Sequence, residues 1–312
     1  MAEENPFPLA PLRFWLEIRA PFHVPEYKGA LFRGGFGRFF RDLACVTQAA
    51  QCGGCVHLAT CPYSLVFETP VIQEHMAVLR KYTHAPHPFV LVPPVDGRTL
   101  LPPGAAAPVE LTLIGPGIRH LPHFIRGFEA MGESGRFGGR FRLRSVVSAV
   151  KRGEVVYDGA SRRFLKAPPE WTPPEEAGRV ERIRLEFVTP LRIRTDGRYN
   201  ARPDFVAVTH ALLRRVHLLR VLYGGADPDP AWMRPLLADA DRARTERADW
   251  RLYEWDRMSG RQGRRVEMDG VLGRLEAAGE LTELAPYFRL GEWVNVGSGT
   301  SMGLGRYRMV CR

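Results

Sequence analysis

The residues Gly297, Gly299, Gly303 and Gly305 stand close together in "NVGSGTSMGLGRYRMVCR", and an alternating stretch follows at once. Glycine has no Cβ, so its backbone can come close to a ligand, and its φ > 0 conformations aim successive N–H groups at an anion. Ser298, Thr300 and Ser301 add hydroxyl donors with little bulk, and Arg306 and Arg308 come directly after. This set suits a phosphodiester backbone. It does not suit a nucleoside triphosphate, because a P-loop needs Lys-Ser/Thr after its last glycine. A dinucleotide fold would place the glycines after an early strand, not before a final one. A weaker copy, "GESGRFGGRFR", carries Arg136 and Arg140.

A second group is formed by thiols. "CVTQAAQCGGCVHLATCPY" holds Cys45, Cys52, Cys55 and Cys61, with His57 in reserve. A Cys-x-x-Cys knuckle with two more thiols nearby matches tetrahedral zinc ligation, so a structural zinc is expected, with free thiols as the alternative. Disulfides are disfavoured in a cytosolic protein. Cys311 has no evident partner.

With 44 Lys and Arg against 34 Asp and Glu, the chain carries +10 at neutral pH over 312 residues. The excess is mostly arginine, whose planar fork grips phosphate through paired hydrogen bonds. A polyanionic partner fits this balance. The start, "MAEENPFPLAP", is acidic and proline-rich and unlike a secretory signal, and no long apolar run suggests a membrane span; a cytoplasmic location is expected.

Two proline-rich stretches divide the chain. "HAPHPFVLVPPVDGRTLLPPGAAAP" reads as a surface excursion, at about residues 84–108, around one short strand, Phe89–Val92. "KAPPEWTPPEEAG" reads as an interdomain linker, residues 166–179. The flanking parts repeat each other. "RFWLEIRAPF" matches "RIRLEFVTPL", and "GGRFRLRSVV" matches "LGRYRMV", so each half opens and closes with a similar strand.

The second half reads as strand Arg182–Val188, helix Pro203–Tyr223, a hairpin of Asp249–Met258 and Arg265–Leu275 around "SGRQG", helix Leu281–Phe288 and strand Arg306–Val310, with an extra helix within Pro230–Ala248. That order is β-α-β-β-α-β. The first half fits the same plan more loosely: strand Leu12–Ala20, helix Gly29–Leu43, strand Val109–Ile114, helix Ile118–Met131 and strand Arg140–Val150. Its Cys-rich insert, about residues 45–63, hides one strand. The expected class is α+β, with two tandem ferredoxin-like (RRM-like) domains over residues 1–165 and 180–312.

"VGSGTSMGLGRYRM" resembles the C-terminal glycine-rich loop of the CRISPR-associated endoribonucleases that process precursor CRISPR RNA, members of the repeat-associated mysterious protein superfamily. "YKGALFRGGFGRFFRDLAC" is similar to that superfamily's first helix, and "LEFVTPLRI" and "LLRRVHLLRVLYGG" resemble parts of its C-terminal domain. The resemblance implies metal-free cleavage of repeat RNA by attack of a 2′-OH on the adjacent phosphate, leaving a 2′,3′-cyclic phosphate and a 5′-OH. It also implies a histidine near the first helix, aided by tyrosine or lysine. The residues that meet this are His23, Tyr27 and Lys28 before the helix, with Arg33 and Arg38 on it as RNA contacts. The helix itself has no histidine, a departure from the family's pattern. Repeat RNA is the implied partner, with other Cas proteins beside it, and the chain is expected as a monomer or homodimer.

Two other readings stand beside this one. A non-catalytic RNA-holding subunit of a CRISPR effector complex would carry a similar loop. A metabolic enzyme for a small phosphorylated ligand is disfavoured by the even spread of arginines and the lack of paired carboxylates. His210, Arg214 and His217 fall on one helical stripe, read as either an RNA-facing ridge or a solvated face; His120 and His123 read as surface or packing residues. Phe137, Phe141 and Tyr307 are candidates for base stacking in a basic cleft between the domains.

Overall fold

The computed structural model describes residues 6–70, 85–174, 178–195, 197–259 and 264–311. The chain divides into two compact units, one of Phe7–Trp171 with Leu222–Gly224, the other of Thr172–Val221 with Gly225–Arg312 and the N-terminal end.

The first unit begins with β1 (Leu9–Ala20), β2 (Phe22–His23) and α1 (Gly29–Ala44). Then come β3 (Phe89–Val92), β4 (Leu100–Leu101) and β5 (Ala106–Ile114). It closes with α2 (Leu121–Ser134), β6 (Arg140–Ser148), β7 (Val155–Asp158) and β8 (Arg163–Phe164). Its main sheet runs β3-β5-β1-β6-β7-β8, and every pairing is antiparallel. The four strands β3-β5-β1-β6, with α1 and α2 between them in sequence, are ferredoxin-like; β7 and β8 are additions. The strand hidden by the insert is β3, inside the proline-rich stretch. It is not part of a surface excursion: all four residues are buried in pairing with β5.

Alternation along β1 sends Leu12, Phe14, Leu16 and Ile18 inward. On α1, Phe32, Phe36, Phe39 and Phe40 share the buried face. Phe36 stacks on Phe124 and Phe128 of α2, with ring centroids 4.9 and 5.1 Å apart. The helix tolerates Gly35 and Gly37 because a Cβ there would strike Met131 and Phe67, at 2.7 and 2.8 Å. These glycines therefore serve close packing. Before α2 the chain makes a 3-10 turn, Gly115–His120, so that helix starts later than Ile118.

The second unit runs β9 (Arg182–Leu191), β10 (Arg194–Thr195), β11 (Arg198–Tyr199) and α3 (Phe205–Gly224), the last capped by Asp204, whose carboxylate accepts from the Ala207 amide at 2.8 Å. There follow α4 (Met233–Arg242), β12 (Arg244–Tyr253), β13 (Asp256–Ser259), β14 (Arg264–Glu267), β15 (Gly270–Ala278), α5 (Ala285–Val294) and β16 (Tyr307–Cys311). The sheet order β12-β15-β9-β16 is again ferredoxin-like, and β13 and β14 extend the hairpin outward. The tip of the expected "SGRQG" turn, residues 260–263, lies outside the described residues, as do 175–177 of the linker. The last helix is displaced from the expected Leu281–Phe288, because Pro286 near its start fixes its first turn.

Candidate nucleic-acid interface

All four glycines of the terminal loop adopt positive φ: +85° at Gly297, +78° at Gly299, +87° at Gly303 and +72° at Gly305. They do not all serve a ligand. The Gly305 amide donates to the Pro190 carbonyl at 2.9 Å, and a Cβ there would lie 1.8 Å from the Val296 carbonyl oxygen. Thr189 donates its hydroxyl to the Gly303 carbonyl at 2.7 Å. Asn295 donates its side-chain amide to the Leu304 carbonyl at 3.0 Å. Gly303, Gly305, Thr300 and Ser301 are buried. This half of the loop closes onto the end of β9 and is a correction to the reading that every glycine faces the ligand. The outer half remains: Ser298 is exposed, Gly297 and Gly299 are half-buried, and the amides of Gly297 and Gly299 have no hydrogen-bond partner among the described residues. Arg306 is half-buried with its guanidinium 5.0 Å from the Trp293 ring.

The loop leans on Arg192, whose carbonyl accepts from the Ser298 amide at 2.8 Å. Arg192 is itself buried, donating to the Asp269 carbonyl at 2.6 Å. Just beyond it the β10–β11 hairpin presents Tyr199, 44% exposed, with Arg192 and Arg194 at 4.1 and 4.7 Å from its ring. Sequence reading missed this ring. Its signal was "RTDGRY", an Asp-Gly turn flanked by arginines. The rings named instead do not serve: Phe141 and Tyr307 are buried, and Tyr307 donates to the Phe288 carbonyl at 2.7 Å. Phe137 is half-buried against Phe39.

In the first unit, β2 points Phe22 inward and His23 outward, exposed. Gly139 lies so close that a Cβ would be 2.4 Å from Phe22, which brings the segment carrying Arg136 and Arg140, both exposed, against the strand that carries His23. Tyr27 and Lys28 differ from expectation. Tyr27 is buried, and Lys28 is wholly enclosed. Its ammonium donates to Asp96 Oδ1 at 3.1 Å and to the Glu26 carbonyl at 3.2 Å. An ammonium held this way has no face left for a phosphate. Burial alone would raise the Asp96 carboxyl, but hydrogen bonds from Arg98 and Lys28 outweigh it and hold it below the usual range. On α1, Arg38 is exposed, whereas Arg33 turns inward, donating to His87 Nε2 at 3.0 Å over the Phe67 ring.

His217 and His120 belong to packing. His217 does not share the exposed stripe of His210 and Arg214; it is buried and accepts from Trp232 Nε1 at 3.2 Å. His120 is buried beside His123, and burial, with the charges of His123 and Arg119, lowers it to about 4. It is neutral near pH 7 and is no proton donor there.

Cys45, Cys52, Cys55 and Cys61 line one small pocket with His57, and none of them is in a disulfide. Thr47 Oγ1 lies 3.7 Å from both Cys45 Sγ and Cys55 Sγ. Among the described residues no group of three His, Cys, Asp or Glu side chains that could hold a metal ion is found. No helix among the described residues is long and apolar enough to cross a membrane.

Two ferredoxin-like units, one closing on a glycine-rich loop before its last strand, define a tandem-domain protein. A family model described as CRISPR-associated endoribonuclease Cas6 matches residues 185–307, and an N-terminal domain model (AF_1859_N) matches residues 7–169. The C-terminal part of the chain is similar to the Cas6 family. An uncharacterized protein of Archaeoglobus fulgidus is 25% identical over 299 residues, 92% of this chain and 93% of its own length. Thermus thermophilus Cas6 shares the fold with a TM-score of 0.57 at 15% identity, covering 97% of this chain and 99% of that one. A Cas6 product complex matches with a TM-score of 0.53 at 20% identity, over 97% and 99% of the two chains.

Proposed function

We propose that this chain binds CRISPR repeat RNA and cuts precursor CRISPR RNA without a metal. The observation that carries the reading is the outer half of the loop, Gly297–Gly299, where the Gly297 and Gly299 amides have no hydrogen-bond partner among the described residues and lie within the span that matches the endoribonuclease family. These amides, with Arg306, hold a phosphate of the RNA backbone. In the first unit His23 acts on protons, the only one of the three candidate residues that is exposed. The imidazole takes the proton of the 2′-OH as that oxygen bonds to phosphorus. The phosphorus–O5′ bond breaks, and the departing oxygen takes a proton from an acid. The products are a 2′,3′-cyclic phosphate and a 5′-OH, with no water consumed.

Incubation with cognate repeat RNA in EDTA, followed by end-group analysis, tests this. One cut with a cyclic phosphate end is expected. His23→Ala should slow single-turnover cleavage by about 100-fold or more while RNA affinity stays within about threefold. A second reading, an RNA-holding protein that does not cut, draws on the enclosure of Lys28 and the burial of Tyr27. Tight, salt-sensitive binding with no product would favour it and refute the first.

A further inference from the structure

The β7–β8 hairpin is not needed for a ferredoxin-like sheet, yet it builds a pocket. An open cavity of about 550 Å³ lies between α2, β6 and the hairpin turn, within the size range of ligand sites. Arg19, Arg140, Arg142 and Arg162 line it, against Glu129 and Glu133. The turn is pressed onto β6, because a Cβ on Gly159 would lie 1.9 Å from the Leu143 carbonyl oxygen. Asp158 braces it, accepting from the Ser161 amide at 2.9 Å and the Ser161 hydroxyl at 2.6 Å.

The charges do not cancel. Arg162 reaches back to Glu133 at 2.5 Å and approaches Glu129 at 3.9 Å. Glu129 also accepts from the buried Tyr157 hydroxyl at 2.6 Å and has Arg126 at 3.7 Å, so the acids are occupied. Arg19 pairs with Glu17 at 3.3 Å. Arg140 and Arg142 are exposed and have no ion-pair carboxylate among the described residues; the Arg142 charge is felt by Asp158, whose oxygens are engaged by the turn. Arg142 donates to the Gly159 carbonyl at 3.3 Å, which fixes its guanidinium at the wall. The pocket's one aromatic residue, Phe141, is buried and offers no stacking face.

We propose that this pocket is a separate phosphodiester subsite, in which Arg140 and Arg142 grip the sugar–phosphate backbone of the bound RNA without reading its bases. It rests on the RNA-binding reading above and adds a site in the first unit. Paired guanidiniums on a rigid strand suit phosphate oxygens, and such contacts fix register without sequence preference.

The test is fluorescence anisotropy of the full chain with labelled, fully 2′-O-methylated repeat RNA, which has no nucleophile, across a KCl series. Arg140→Ala/Arg142→Ala should lower the slope of log affinity against log salt by about 1.4, from about 0.7 for each phosphate contact on a single strand. Ala160→Glu, an exposed position on the turn, should weaken binding without removing any packing. Lys151→Ala/Arg152→Ala removes the same charge at exposed positions outside the lining and should leave the slope nearly unchanged. An unchanged slope in the first double variant together with unchanged affinity in Ala160→Glu, while the wild type binds, would overturn the subsite alone. An equal loss in the control pair would reduce it to long-range charge and overturn it too. A wild type that binds no RNA would sink the underlying reading first, and this one with it.

Discussion

Lys28 was the lysine expected to aid catalysis, and its surroundings make it a fold pin instead. Consider Lys28→Met, which keeps the length of the stem and removes the ammonium. The side chain is 0% exposed, and the change deletes the hydrogen bonds to Asp96 and to the Glu26 carbonyl. Removing one partner of a buried ion pair costs about 3–5 kcal/mol when the other is left uncompensated. Asp96 is not left alone: its side chain is 29% exposed and keeps Arg98 at 2.6 Å. The methionine also recovers apolar burial. The expected loss is therefore near the low end, about 2–3 kcal/mol. For a unit of this size that is a fall of about 4–12 °C in the midpoint of its transition. Urea and thermal unfolding measure it, and Asp96→Asn in a double-mutant cycle isolates the pair. The pH dependence has a defined sign. The Asp96 carboxyl titrates lower in the folded state than in the unfolded chain, so its contribution is complete above the unfolded value and is lost as pH falls through the folded one. Lys28→Met should flatten that acid-side loss. Single-turnover cleavage, measured well below the melting transition, should change less than about threefold. A drop of about 100-fold or more with stability unchanged would show that the ammonium reaches the phosphate, and would refute the argument from burial.

Other outcomes follow from the same geometry. Gly305→Ala should unfold or strongly destabilise the second unit, by more than about 3 kcal/mol, since a Cβ meets backbone at φ +72°; Ser298→Ala should leave its melting point within about 1 °C yet weaken RNA binding. Among the thiols, a hydrogen bond with Thr47 lowers Cys45, while burial raises Cys52. Iodoacetamide near neutral pH should therefore label Cys45 well before Cys52 by peptide mass mapping. Uniform protection of all four cysteines, relieved only by a chelator, would contradict that order and support the expected zinc.

The outline of the fold was legible where periodicity ran unbroken. In the second half, β9, α3, the β12–β15 pair and β16 were each visible as a run of period 2 or 3.6, and the structure has them in that order. In the first half β3 was read as a strand with its observed bounds, but was set in a surface excursion instead of the sheet, for a physical reason. "FVLV" does not alternate, because all four residues are covered, and the prolines around it suggest loop. β7 and β8 were passed over because they are short and one is fully exposed.

The candidate sites were less legible, because a residue's type does not say which way the fold turns it. The glycines of the terminal loop announced positive φ correctly, and all four have it. What the letters could not carry is that the inner pair is consumed by β9, since that depends on where Thr189, Pro190 and Val296 arrive in space. His23 and Lys28 stand in one short segment with equal claims to chemistry. A two-residue pairing with β4 turns one to solvent, and Asp96, far along the chain, draws the other inside. The same logic separates His210 from His217, where a tryptophan from the segment after α3 claims the second ring. Tyr199 was overlooked as ordinary turn sequence, and becomes a candidate only because Arg192 anchors both its hairpin and the loop. The reversals were decided by contacts with residues from elsewhere in the chain. A variant that removes such a contact and leaves the residue in place, such as Asp96→Ala, is therefore a sharper probe of these assignments than deletion of the residue itself.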